Sequence, residues 1–115
     1  MKFRNTLLSV VVVLLPMTLQ AADQASWYGE QHRGRPMANG QLFNPDKLTA
    51  ATWLYPLGSK VLVTHAQQSV VVEITDRGPA KRLVRAGRKI DLSRAAFAKL
   101  APTNRGLIDV VLRQQ

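Results

Sequence analysis

The sequence predicts a small, mostly β domain closed into a barrel. Three observations carry that prediction. Short β-branched and aromatic runs recur along the chain, bounded by glycine, proline or asparagine. A clear helical segment occurs only once, near the C-terminus. At 115 residues, with no internal repeat and no domain linker, the chain fits one domain with a modest core.

The elements follow in order. Gln24-Ala25-Ser26-Trp27-Tyr28-Gly29 is an aromatic strand ended by glycine. Residues 30–40, rich in Gly, Arg, Pro and Asn, read as an irregular loop. At Asn44-Pro45-Asp46 a capping asparagine precedes a proline suited to the first helical position, which predicts a short helix through Thr49-Ala50-Ala51. Tyr55–Ser59 is a turn, and Val61–His65 a strand. Gln67-Gln68-Ser69 is a tight connection into Val70–Thr75, whose β-branched run predicts burial on both faces at its start. Pro79–Gly87 reads as a basic loop and Lys89-Ile90-Asp91 as a short strand. Ser93 caps a helix over Arg94–Leu100 that stops before Pro102, and Leu107–Leu112 is the last strand.

The N-terminus has a different character. Lys2 and Arg4 precede the apolar run Leu7–Leu15, Pro16 ends it, and Ala21-Ala22 offer small residues for cleavage. This is the layout of a secretory signal peptide over residues 1–22, leaving a domain over 23–115. The run is shorter than the roughly 20 residues a membrane-spanning helix needs. The chain has no cysteine, hence neither a disulfide nor a lipid-attachment site. The expectation is a soluble monomer without a membrane anchor, periplasmic or secreted.

The net charge is +9. Without Lys2 and Arg4 there remain 14 basic against 7 acidic residues, about +7. In an exported protein such charge fits anionic envelope polymers better than specific nucleic-acid recognition. Seven of the cations lie between Arg77 and Arg94, where a solvated loop is the alternative reading. His32 and His65, without a third convergent ligand, make no metal site.

Two signatures carry the candidate chemistry: Asp76-Arg77-Gly78-Pro79 and Ile90-Asp91-Leu92-Ser93. With Ala25-Ser26-Trp27-Tyr28-Gly29, Ala38-Asn39-Gly40, Leu48-Thr49-Ala50-Ala51 and Pro56-Leu57-Gly58, they resemble the rare lipoprotein A family in order and spacing over roughly residues 24–113. The resemblance implies a six-stranded double-psi β-barrel with one or two short helices, similar to expansins. It also implies a peptidoglycan lytic transglycosylase that prefers glycan strands lacking stem peptides and needs no cofactor. The sequence departs from the family pattern at Gln41, Asn44 and Thr52, where the family usually has Glu, Asp and His, and at Arg33, where it tends to have His. Gln41 and Asn44 can hydrogen-bond a sugar hydroxyl but cannot act as acid or base.

Glycoside hydrolysis needs two carboxylates. In a lytic transglycosylase the muramoyl 6-hydroxyl attacks its own anomeric carbon and leaves a 1,6-anhydro end. Its nucleophile is tethered, so one acid/base residue suffices. The resemblance makes Asp91 that residue, with Asp76 in support. The residues themselves leave Asp76 open between orienting a sugar and bonding turn amides. Arg77 is a candidate for Asp76 or for a substrate carboxylate, and Ser26, Asn39, Gln41 and Asn44 for sugar hydroxyls. Of Trp27 and Tyr28, which alternate along a strand, one is expected in the cleft and the other in the core. Trp53 is a further stacking surface. The alternative is a non-catalytic, expansin-like module that grips peptidoglycan glycan without cutting it.

Overall fold

The computed structural model describes residues 22–115, together with Val11. The predicted signal peptide falls outside the described residues except at Val11 and Ala22. Six strands close into a barrel in the order β1-β5-β2-β4-β3-β6. They are β1 (Asp23–Tyr28), β2 (Thr49–Thr52), β3 (Lys60–His65), β4 (Gln68–Asp76), β5 (Arg88–Ser93) and β6 (Ile108–Gln114). Two short helices, α1 (Lys81–Arg85) and α2 (Arg94–Ala98), flank β5 in sequence. The β1–β5 and β2–β4 pairs are parallel; the other four are antiparallel.

Inward-facing side chains fill the barrel. Ala25, Ala50, Val61, Val63, Val72, Ile74, Ile90 and Leu92 are fully or almost fully buried, and Phe97 of α2 joins the same core. Ser93 ends β5 and starts α2: its Oγ accepts from Ala96 N at 3.2 Å and donates to Lys47 O at 2.6 Å. That cap follows the sequence expectation, as do the strand positions of β1, β3, β5 and β6.

Four local expectations are corrected. Thr49–Thr52 is a strand, not the end of a helix. Ala50 and Ala51 are buried between β4 and β5, and ladders on both sides outweigh alanine's helical preference. Asn44 instead makes a local turn, its Oδ1 accepting from Asp46 N at 2.9 Å. The Pro79–Gly87 loop contains α1, which has no side-chain cap to announce it. The hairpin turns at Ala66-Gln67, with His65 opposite Gln68, so Gln68 and Ser69 belong to β4. The valine run alternates rather than burying both faces: Val70 and Val72 point inward and Val71 is exposed. Among the described residues nothing covers its outer face, as in other one-side-solvated antiparallel pairs.

Two β-bulges set which side chains reach the rim. Ala50 is opposite Ile74, but Ala51 is opposite Asp76, so Thr75 is the extra residue on β4. Gln24 is opposite Arg88, but Ala25 is opposite Ile90, so Lys89 is extra on β5. Bulges re-aim side chains, commonly beside functional sites.

Candidate functional site

One row of residues crosses four strands at the barrel rim. Ser26 on β1 pairs with Asp91 on β5, Asp91 with Ala51 on β2, and Ala51 with Asp76 on β4. Register partners share a face, so Asp76, Ala51 and Asp91 open into one cavity of about 330 Å3. Trp27, Tyr28, His32, Arg77, Gly78 and Arg88 line the same cavity.

Asp91 is anchored through one oxygen. Ser26 Oγ donates to Oδ1. Arg88 Nε donates to Ser26 Oγ at 2.6 Å, and Arg88 Nη2 to Asp91 Oδ1 at 3.3 Å. The Asp91 side chain is 20% exposed and that of Arg88 35%. The other oxygen, Oδ2, lies toward Gly78, where an added Cβ would sit 3.9 Å from it and 3.6 Å from Ala51 Cβ. Ser26 itself is 3% exposed, and its hydroxyl is committed to Asp91 and Arg88.

Asp76 has a different environment. Its Oδ1 accepts from Ala38 N at 2.9 Å and Arg77 N at 2.8 Å, and Asn39 N donates to Thr75 O at 3.1 Å. The carboxylate thus ties the loop after β1 to the end of β4. The Arg77 guanidinium goes elsewhere, donating through Nη1 to the carbonyls of Thr52 and Tyr55 at 2.8 and 2.6 Å. Thr52 is fully buried; its Oγ1 donates to Lys89 O and accepts from Leu54 N.

Both aromatic residues of β1 line the cavity, contrary to the expectation of one in the cleft and one in the core. Trp27 is the more firmly held: Nε1 donates to Thr103 O at 2.8 Å and the ring packs on Phe97 at 6.3 Å. Tyr28 stacks on Phe43 at 4.2 Å and meets His32 edge-on at 5.6 Å. Tyr28 Oη and His32 Nδ1 are buried without a hydrogen-bond partner. Burial first, then the negative charges of Asp76 and Asp91, push the Tyr28 phenol well above its usual range, so it stays protonated. Trp53 lies half-exposed, its Nε1 bonded to Pro79 O and its ring under Lys81 Nζ at 4.7 Å.

Gln41 and Asn44 do not join the aspartates. They line a separate cavity of about 550 Å3. Asn39 stands between, donating through Nδ2 to Gln41 Oε1 at 3.1 Å and accepting from Gln41 N at 2.9 Å. Arg33 joins an exposed network instead. It bonds Glu30 and Asp46 at 2.7 and 3.0 Å, and Arg94 bonds the same two carboxylates.

Sequence reasoning passed over Arg88 as a site residue. In a regular strand, residues three apart face opposite ways. The bulge at Lys89 brings Arg88 and Asp91 to the same side. Ala51, Gly78 and His32 carried no signal of their own in the sequence.

The profile of the lytic transglycolase family matches residues 20–112. A Synechocystis protein named probable endolytic peptidoglycan transglycosylase RlpA is 46% identical over 90 residues, 76% of this chain and 27% of that protein. A second, uncharacterized Synechocystis protein is 41% identical over 91 residues, covering 77% of this chain and 92% of itself. The chain therefore spans about a quarter of the length of the RlpA-named relative. Among solved structures, the Streptomyces papain inhibitor superposes with a TM-score of 0.60 at 25% identity, covering 85% of this chain and 94% of the inhibitor. A Clavibacter michiganensis expansin solved with cellohexaose superposes with a TM-score of 0.61 at 21% identity, covering 82% of this chain and 49% of the expansin; at that identity it speaks for the fold alone. By its profile match and by its identity to these relatives, the chain belongs to the lytic transglycolase family, as an RlpA-like double-psi β-barrel.

Proposed function

We propose that this protein is a lytic transglycosylase that cleaves peptidoglycan glycan strands to 1,6-anhydromuramoyl ends, taking strands without stem peptides in preference. The observation that carries the reading is that Asp91, Ala51 and Asp76, in one row, open into one aromatic-lined cavity, with Ser26 buried behind Asp91. In this reading Asp91 exchanges the proton through Oδ2. It protonates the leaving glycosidic oxygen and takes the proton of the attacking muramoyl 6-hydroxyl. Ser26 and Arg88 fix its geometry from Oδ1. Asp76, facing the same cavity across Ala51, places negative charge near the developing oxocarbenium ion. Trp27 and Tyr28 supply the ring faces for the sugar. Residues 1–22 serve as an export signal, and the domain over 23–115 works as a monomer, periplasmic or secreted.

A second reading is an expansin-like module that binds peptidoglycan without cutting it. It is favoured by Gln41, Asn44 and Thr52, which stand where the family usually carries Glu, Asp and His. Thr52 is spent on backbone hydrogen bonds, and Gln41 and Asn44 line another cavity. The two readings part on product analysis. Peptidoglycan, intact and stripped of peptides, is incubated with the protein, and the soluble products are weighed by mass spectrometry. Anhydromuramoyl products support the enzyme. Co-sedimentation with glycan and no such product supports the binding module.

A further inference from the structure

The turn from Met37 to Gln41 has Asp76 bonded to its Ala38 amide, and its residues Met37, Gly40 and Gln41 wall the larger cavity, about 550 Å3. Within that cavity Thr49 is 7% exposed, and its Oγ1 is buried with no hydrogen-bond partner. A buried hydroxyl left unpaired carries an uncompensated desolvation cost. Glu73 is the register partner of Thr49 on the next strand, so carboxylate and hydroxyl lie side by side on one face. Glu73 pairs in register with Lys60 on its other side, yet no ion pair within 4.0 Å forms between them. Lys47 lines the same cavity, also without an ion-pair partner among the described residues. One cavity thus holds a free anion and a free cation that do not neutralise each other.

The remaining lining completes the pattern. Gln41 Oε1 accepts from Asn39 and Asn44 Oδ1 from Asp46, which turns both amide NH2 groups to other partners. No aromatic ring lines this cavity, whereas Trp27 and Tyr28 line the Asp76–Asp91 cleft. We propose that this cavity binds a free amino acid or short free peptide bearing both an ammonium and a carboxylate. The ammonium meets Glu73 and Thr49 Oγ1; the carboxylate meets Lys47 and the amides of Gln41 and Asn44. Only the natural source, free peptides cut from the stem peptides of the wall polymer, rests on the proposed function. A peptide site outside the cleft is compatible with a cleft that takes bare glycan, because the two cavities are separate.

The test is NMR titration of the full chain with alanyl-alanine, in L and D forms, and with the same dipeptide acetylated and amidated at its ends. The zwitterion is expected to shift the amides of Gln41, Asn44, Thr49 and Glu73, and capping its ends to weaken binding at least tenfold. Glu73→Gln is expected to weaken binding at least fivefold and to leave cleavage of peptide-free glycan unchanged. Equal binding of the capped dipeptide, or of wild type and Glu73→Gln, overturns the proposal. So does occupation of this cavity by a peptide-free disaccharide, which makes it a glycan subsite. Peptide binding is read without glycan cleavage, so failure of the lytic reading leaves this result standing, and the reverse.

Discussion

Asp76 on β4 and Asp91 on β5 both pair with Ala51 of β2. A single alanine therefore stands between the two aspartates, whose backbones lie two strand spacings apart, about 9.6 Å. The small side chain leaves the cavity floor open between the carboxylates. Ala51→Val is predicted to lower stability by about 1–2 kcal/mol, since Ala51 is 4% exposed and faces the Gly78 backbone. It is also predicted to reduce cleavage more than tenfold. Denaturant melts beside a glycan digest measure both; full activity in a folded variant refutes the role of the gap.

Arg88 holds Asp91 directly and through Ser26. Arg88→Gln and Ser26→Ala are predicted to lower cleavage about tenfold to a hundredfold by freeing the carboxylate to rotate. Glycan binding should change little. Kinetics on soluble glycan decide this: the loss should fall on kcat rather than KM.

Tyr28 carries an orphaned hydroxyl beside two aspartates. Tyr28→Phe is predicted to keep or raise stability, by up to about 1 kcal/mol, because a buried unpaired group is removed. Cleavage should drop if the hydroxyl serves the substrate. The phenol's affinity for its proton is raised in the folded state, from the ordinary value of 10.0. The unfolded chain ionises the phenol first, so this group leaves stability unchanged below about pH 10 and lowers it as the pH rises further. Ultraviolet titration of wild type against Tyr28→Phe reads the delayed ionisation.

The exposed network of Glu30, Arg33, Asp46 and Arg94 predicts acid sensitivity. Hydrogen bonds from Arg33, then Arg94, hold Glu30 down at about 2 against an ordinary 4.5. Asp46 is lowered by the same two arginines. A lowered carboxylate stabilises the fold above its unfolded value and loses that contribution as the pH falls toward the folded one. The loss should run from about pH 4.5 down to about 2 and shrink in salt. Carboxyl NMR titration of wild type and Arg33→Ala checks it.

Much of the barrel was legible because its strands carry β-branched and aromatic runs bounded by turn residues. Val61, Val63, Val70, Val72 and Ile74 announce β3 and β4, and Ser93 announces α2. β2 was not legible, because Thr49-Ala50-Ala51-Thr52 becomes a strand only through the neighbours that sandwich it. α1 begins at an uncapped Ala80 within a basic run, so nothing local marks its start. The aspartates were found through their signatures. The bulges that aim Asp76 and bring Arg88 beside Asp91 depend on register between distant segments, which no local pattern encodes. The same holds for Gln41 and Asn44, close to the signatures in sequence but placed in the other cavity.

Gly29 shows how closely the β1 aromatics are packed. A Cβ there would lie 2.8 Å from Trp27 Cζ3, and that ring is pinned by Thr103 O and Phe97. Gly29→Ala is predicted to cost about 1–3 kcal/mol and to shift the tryptophan emission. An unchanged melt and spectrum would contradict the packing described.

The most direct test of the account is a digest of peptide-stripped glycan by wild type and by Asp91→Asn, after both are shown to fold with the same melting temperature. The account predicts 1,6-anhydromuramoyl products from the wild type and at least a hundredfold less from the variant, with glycan binding retained. Equal product from both, or none from the wild type, contradicts the assignment of Asp91 as the residue that moves the proton.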